Sequence, residues 1–75
     1  MFGITTGMGA YAEYVAVKAA AVARKPSNLS FEEAASVPVA SQPAWQGIFP
    51  HGHLEKGQTI LIHGGAGAVG AYAVQ

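Results

Sequence analysis

The feature that most constrains the fold lies at the end of the chain, where LIHGGAGAVGAYAVQ (residues 61–75) carries glycines in G-x-G-x-x-G spacing. These are Gly65, Gly67 and Gly70, and they directly follow the apolar run TILIH. A continuous run rich in β-branched residues is typical of a strand buried on both faces of a parallel sheet. The residues after the glycines have helix-compatible spacing. We therefore predict a strand over residues 59–63, a tight turn, and a helix that begins within residues 66–69.

A strand, a glycine turn and a helix in this order are what a dinucleotide site requires. Gly65 would make the turn, Gly67 would let the backbone approach a pyrophosphate, and Gly70 would let the helix pack closely on the strand. Backbone N–H groups near the helix N-terminus would then point at the phosphates. The predicted cofactor-binding residues of the turn are Gly65, Ala66, Gly67, Ala68, Val69 and Gly70. The alternative is a glycine-rich turn that binds nothing. A P-loop is excluded because no Lys-Ser/Thr pair follows the glycines.

The central region, LSFEEAASVPVASQPAWQGIF, begins with a capping box formed by Ser30 and Glu33. This spacing predicts a helix that starts near Phe31. Pro38 is expected to end or bend that helix near residue 36 and to open a second helix. Pro43 lies inside the second helix and is expected to break it, at a cost of about 3 kcal/mol unless the helix restarts there.

The remaining segments give weaker signals. Residues 9–17, GAYAEYVAV, alternate with a period of two and predict a strand, and Pro26 begins a predicted turn. Trp45 and Phe49 are four residues apart on the predicted helix and are interpreted as core. The connector HGHLE carries two histidines and a glutamate, but its turn-rich composition favours surface residues, so no metal site is predicted. His63 is interpreted as a packing residue at the end of its strand, with proton transfer as the minor alternative.

Composition sets the limits. With 75 residues the chain can make at most one small domain, and its 51% hydrophobic and 11% charged content excludes a disordered class. Four basic and four acidic residues form no basic stripe, so no nucleic acid is expected as a partner. Cysteine is absent, which fits a reducing compartment, and no apolar run approaches the roughly 20 residues that span a bilayer. We expect no membrane partner and a cytoplasmic location.

Four motifs together resemble a known family. GAYAEYVAV, LSFEEAASVPVA, AWQ and GQTILIHGGAGAVGAYAVQ occur in the order and at the spacing of the quinone oxidoreductase branch of the medium-chain dehydrogenase/reductase family, which works without catalytic zinc. The resemblance covers nearly the whole chain. It implies an α/β fragment in which the end of a GroES-like β domain is joined by helices to the first βα turn of a Rossmann fold.

The resemblance also implies a domain organisation and an activity. Residues 1–28 correspond to the last strands of the GroES-like substrate domain, residues 29–56 to connecting helices, and residues 57–75 to the start of a truncated Rossmann domain. Family members transfer a hydride, usually from NADPH and with NADH not excluded, to a quinone or an activated alkene. A homo-oligomer is expected of the full-length protein, with a quinone or enone as its small-molecule substrate.

Two departures from the family pattern concern the cofactor. Ala68 stands where the family commonly has glycine, and Pro43 stands where the family has a threonine near the nicotinamide. Pro43 has no hydroxyl, so either Ser41 or Gln42 provides the polar contact, or the nicotinamide is placed less well. No catalytic residue is assigned.

Two hypotheses follow. The chain is expected to be an internal fragment of such an oxidoreductase and inactive by itself. The alternative is a small stand-alone binding or interaction module that keeps the glycine turn as structure.

Overall fold

The computed structural model describes residues 1–75. It is a small α/β structure with one two-stranded sheet and two α-helices. The chain divides into two compact units, Met1–Pro38 and Val39–Gln75.

The first unit contains the sheet. Strand β1 (Phe2–Gly3) pairs antiparallel with β2 (Val22–Ala23), and a short 3-10 helix (Ala19–Ala21) leads into β2. The register sets Phe2 opposite Ala23. Each strand has only two residues, so the sheet contributes little regular hydrogen bonding.

The predicted strand over residues 9–17 is wrong, because these residues form no regular structure. Tyr11 and Tyr14 are fully exposed. Alternation gives a segment two distinct faces, but a strand forms only when a neighbour takes up its backbone N–H and C=O groups. The sheet pairs β1 with β2 alone, so this segment has no hydrogen-bonded strand partner.

Helix α1 (Phe31–Gln46) begins where the capping box predicts. The backbone N–H of Ser30 donates to Glu33 Oε2 at 2.8 Å, and the N–H of Glu33 donates to Ser30 Oγ at 3.1 Å. Two N–H groups at the helix start are satisfied in this way. The predicted start near Phe31 is confirmed.

Lys25 fixes the turn that precedes α1. Its ammonium group donates to the carbonyl oxygen of Pro26 at 2.9 Å and to that of Leu29, and it lies 5.3 Å from the centre of the Phe31 ring. The cation thus holds the turn residues against the first residue of the helix. The turn predicted from Pro26 is confirmed, with its turn residues at Ser27 and Asn28.

The prediction that prolines divide this region into two helices is wrong. α1 runs through both Pro38 and Pro43 without interruption. Each proline lacks an N–H, so the carbonyls of Ala34 and Val39 lose their partners four residues later. Pro38 is buried, so packing of its ring offsets part of that loss, and the helix is long enough on each side to continue.

Beyond α1 the helix widens into a π-helix (Gly47–His51) that contains Pro50. In a regular α-helix the ring of Pro50 would press on the carbonyl of Gln46, and the wider turn relieves this contact. The segment closes at His53, whose φ of 50° lies in the left-handed region and whose N–H donates to the Phe49 carbonyl at 2.9 Å. This geometry is a left-handed helix cap made by a histidine instead of a glycine.

The final strand–turn–helix prediction is confirmed in two parts and wrong in the third. Residues 63–66 form a turn, and helix α2 (Ala68–Val74) begins inside the predicted window. Residues 59–62 are not helical, but they form no strand, because no backbone hydrogen bond involves them. A strand of a parallel sheet needs an adjacent strand to take up its backbone hydrogen bonds, and no strand pairs with residues 59–62.

Few residues are buried. Ala34, Pro38 and Ala44 are the buried positions, all on α1. Trp45 is 64% exposed and Phe49 is 42% exposed, so the prediction that they form core is wrong. Their rings lie against each other, with centroids 4.4 Å apart and planes tilted by 49°. No helix has the length and apolar character needed to cross a membrane.

Candidate functional site

The candidate site is the glycine turn, defined here as residues 63–67, together with the first turn of α2. The turn is closed by the N–H of Gly67, which donates to the carbonyl of Gly64 at 2.9 Å. Gly67 is also the N-cap of α2, with φ −75° and ψ 168°, and no side chain caps the helix. The chain therefore passes directly from a tight turn into a helix whose N-terminus is uncovered by side chains.

Gly70 allows the helix to lie close to the turn. A Cβ atom at this position would overlap the carbonyl oxygen of Gly64 and lie 2.8 Å from the Cα of Gly65. Real side chains do not approach a backbone this closely, so only glycine fits without a shift. Gly70 therefore allows a close approach of the helix to the turn, whereas the predicted packing of the helix on a strand is absent because no strand forms.

The turning residue differs from the predicted one. Gly64 has φ 72°, in the left-handed region that favours glycine, whereas Gly65 does not have a positive φ. The prediction that Gly65 makes the turn is therefore wrong, and Gly64 makes it instead. The signal that could have found it is the Gly-Gly pair itself, which marks a turn in which either residue can take the positive φ.

Three backbone donors at the start of α2 have no acceptor within the chain. They are the N–H groups of Ala68, Val69 and Gly70, while the next N–H, that of Ala71, donates to the Gly67 carbonyl at 2.8 Å. Such groups carry the partial positive charge of a helix N-terminus. Ala68 and Val69 are exposed, so a ligand has access to the first two donors. The arrangement can donate hydrogen bonds to an anionic oxygen such as that of a phosphate.

Pro43 lies apart from this turn in sequence and is an exposed residue of α1. Its neighbours Ser41 and Gln42 line an open groove of about 580 Å³ in the second unit, together with Ala44, Trp45, Gln46 and Tyr72. Pro43 does not line this groove, and the groove reaches α2 at Tyr72 rather than at the glycine turn. Tyr72 was not singled out from the sequence, because nothing in its spacing marks it as more than a helix residue.

The histidines of the connector do not gather into a site. No group of three or more His, Cys, Asp or Glu side chains is placed to hold a metal ion.

Comparison with known proteins gives the chain its relatives. It is 48% identical over 67 residues to a 2-methylene-furan-3-one reductase of Solanum lycopersicum, a match that covers 89% of the chain and 17% of the relative. It is 41% identical over 71 residues to the NAD(P)H oxidoreductase RTN4IP1, mitochondrial, of Danio rerio, covering 89% of the chain and 18% of that protein. It is also 52% identical over 50 residues to a highly reducing polyketide synthase of Arthrinium phaeospermum, covering 67% of the chain and 2% of the synthase.

Each of the two reductase matches covers 89% of the chain. The chain belongs to the quinone oxidoreductase-like branch of the medium-chain dehydrogenase/reductase family. It spans less than a fifth of the length of the two reductases. No family model and no solved structure matches it. Relatives in this family are named as reductases and NAD(P)H oxidoreductases, so the chain belongs to a family of enzymes that use a nicotinamide cofactor.

Proposed function

We propose that the chain is part of an NAD(P)H-dependent oxidoreductase that transfers a hydride to a quinone or an activated alkene. The observation that carries the proposal is the set of three free N–H donors at the start of α2, behind a turn closed by glycine. Backbone donors at a helix N-terminus, approached through glycine, are the chemistry that holds a pyrophosphate. The similarity to two named reductases over 89% of the chain supports the same assignment.

The domain organisation that we propose is that of the family. Residues 1–28 end a GroES-like substrate domain, residues 29–56 connect it, and residues 57–75 begin the Rossmann cofactor domain. The zinc-independent reaction needs no metal ligand from this chain. The proposed protein is a homo-oligomer in the cytoplasm, although the zebrafish relative is named as mitochondrial.

The residues of the turn fit the phosphate part of the cofactor. The six proposed contacts are Gly65, Ala66, Gly67, Ala68, Val69 and Gly70. Ala68 replaces a family glycine, but its methyl group leaves its N–H free to donate. When bound, the nicotinamide supplies the hydride, and this chain contributes binding and orientation.

Pro43 is the proposed neighbour of the nicotinamide, without a hydroxyl to contact it. Ser41 and Gln42 line the groove on α1 and offer the polar groups that Pro43 lacks. We propose that one of them replaces the family threonine. The proposed cofactor is NADPH, with NADH as the alternative, and the substrate is a quinone or an enone.

The test compares two glycine substitutions. A Cβ at Gly67 would lie 3.3 Å from the Gly64 carbonyl oxygen, in the turn that we propose binds the phosphate, whereas a Cβ at Gly47 meets nothing within 4 Å. Gly67→Ala should weaken NADPH binding about tenfold, and Gly47→Ala should leave it unchanged. Calorimetric titration of both variants and the parent chain measures this. Equal affinities for all three would remove the turn from the cofactor site.

The second candidate is a binding or interaction module that keeps the turn as structure alone. The close approach of Gly70 to Gly64 favours this candidate, because packing alone requires glycine at residue 70, whether or not a ligand binds. The same titration separates the two, because a purely structural turn gives no saturable NADPH binding at all.

A further inference from the structure

The groove of the second unit has aromatic side chains from both of its helices. Its volume of about 580 Å³ lies within the roughly 300–1,000 Å³ that small-molecule sites occupy. Trp45 lines the groove from α1 and Tyr72 lines it from α2, so two different elements bring aromatic rings to the same space. Phe49 does not line the groove, but its ring centroid lies 4.4 Å from that of Trp45. The indole ring is therefore contacted from outside the groove by a second aromatic ring.

Two amide side chains line the same groove along α1. Gln42 and Gln46 are four residues apart, which places them on one face of the helix. Each amide group has two N–H donors that a carbonyl oxygen can accept. None of the side chains that line the groove carries a charge. The groove therefore suits a flat, neutral ligand with a carbonyl oxygen at its edge better than an ion.

We propose that this groove binds the ring of a quinone, with Trp45 as the residue on which the ring stacks, and that it selects quinones over open-chain enones. A quinone is a planar conjugated ring, so it can lie against the indole face while Gln46 donates a hydrogen bond to one of its carbonyl oxygens. An open-chain enone has the carbonyl oxygen but a much smaller flat surface. Stacking on Trp45 is therefore the interaction that separates the two substrate classes.

The location of the acceptor ring rests on the proposed function. Ser41 and Gln42, one of which is proposed to contact the nicotinamide, line the same groove as Trp45 and Gln46. A hydride moves only between groups that are held next to each other, at about 3–3.5 Å between the reacting atoms. A quinone in this groove lies beside the residues assigned to the nicotinamide, which is where the hydride acceptor has to be.

The first experiment follows the fluorescence of Trp45, the only tryptophan of the chain. The probe is duroquinone, a fully substituted quinone, and the chain has no cysteine thiol that could add to it. We expect saturable quenching. Mesityl oxide, an open-chain enone, should compete at least about tenfold more weakly than unlabelled duroquinone. Quenching that rises without saturation, or equal affinity for the quinone and the enone, would overturn the proposal.

The second experiment uses variants and the side-chain amide signals of Gln46 in NMR spectra. Trp45→Leu keeps a good helix former but removes the ring, so it should weaken duroquinone binding about tenfold. Trp45→Phe keeps an aromatic face and should restore most of the affinity. The matched control is Tyr14→Leu, which removes a 91% exposed aromatic ring that does not line the groove. Unchanged affinity in Trp45→Leu, or an equal loss in Tyr14→Leu, would contradict stacking on Trp45.

The two ligands also separate this proposal from the proposed cofactor turn. NADPH is expected to shift the backbone amides of residues 68–70, whereas duroquinone is expected to shift the side-chain amide of Gln46. Binding of NADPH at the turn without binding of duroquinone would overturn the groove assignment alone. Binding of duroquinone at Gln46 without binding of NADPH would support the groove and overturn the cofactor turn.

Discussion

At the scale of single residues, the structure is decided by a few close backbone approaches and local hydrogen bonds. Gly70 lies against the carbonyl of Gly64, and Ser30 exchanges hydrogen bonds with Glu33. The capping box was predictable, because its two residues are three apart in sequence and the side chain of each accepts a hydrogen bond from the backbone N–H of the other. The role of Gly64 was not, because which glycine of a pair takes the positive φ depends on where the helix docks.

Gly70→Ala tests the close approach. Helix propensity favours alanine by about 1 kcal/mol, whereas forcing a methyl group into backbone atoms costs about 1–3 kcal/mol. The substitution should therefore destabilise the turn and α2. We expect loss of α2 helicity and of the turn hydrogen bond, measured by far-ultraviolet circular dichroism and amide exchange. Gly47→Ala is the control, since its Cβ meets nothing within 4 Å. Equal or greater helicity in the Gly70 variant would show that the turn does not need glycine there.

The first turn of α1 should respond to pH. Hydrogen bonding from its own backbone N–H, and then from Ser30, lowers the pKa of the exposed Glu32 carboxyl from its ordinary value. A lowered folded-state pKa means that the stabilisation is present above the unfolded pKa and is lost as pH falls through the folded pKa. Helicity should therefore decline in acid. Glu32→Gln should reduce the amplitude of this decline in a circular dichroism titration, and an unchanged amplitude would contradict the assignment.

At the scale of elements, predictions from residues close in sequence are confirmed, whereas predictions of strands, which depend on a distant partner, are wrong. The starts of α1 and α2 follow from caps and glycines that lie within a few residues of each other. Both predicted strands, residues 9–17 and 59–63, failed because a strand depends on a partner that alternation alone does not supply. The proline prediction failed because the helix continues on both sides of Pro38 and Pro43, and Pro38 is also buried, which together outweigh the two missing hydrogen bonds.

The two prolines of α1 should differ when replaced. Pro43 is exposed, so Pro43→Ala restores a hydrogen bond to Val39 without loss of packing and should stabilise the helix by about 3 kcal/mol. Pro38 is buried, so Pro38→Ala should gain less. Amide exchange along α1 measures both. A larger gain at residue 38 than at residue 43 would show that burial of the Pro38 ring contributes little.

At the scale of the whole molecule, the chain has one turn–helix unit with the glycine pattern and little core. Only three residues are buried, and large apolar side chains such as Met8, Val39 and Leu61 remain exposed. A dinucleotide site spreads its contacts over several βα units, whereas here only the turn and the helix of one such unit are formed. The relatives are about five to six times longer than the matching stretch. The resemblance to the family predicted that the chain corresponds to part of a longer protein, whereas composition alone did not.

The 75-residue chain should not oxidise NADPH in the presence of a simple quinone. The turn provides pyrophosphate contacts, but the nicotinamide needs orientation from further elements before a hydride moves. Absorbance of NADPH over time measures the rate, with a full-length family reductase as positive control. Sustained turnover above the uncatalysed rate would mean that one unit, or an assembly of copies, completes the site.

The most direct test of the proposed cofactor turn is a titration of the isotope-labelled chain with NADPH, followed by backbone amide NMR. We expect weak, saturable binding, roughly millimolar, with the largest shifts at the N–H groups of Ala68, Val69 and Gly70. Nicotinamide riboside, which lacks phosphate, should leave these three amides unmoved. Equal shifts with the riboside, or shifts from NADPH that avoid all three amides, would contradict the assignment of the glycine turn to the pyrophosphate.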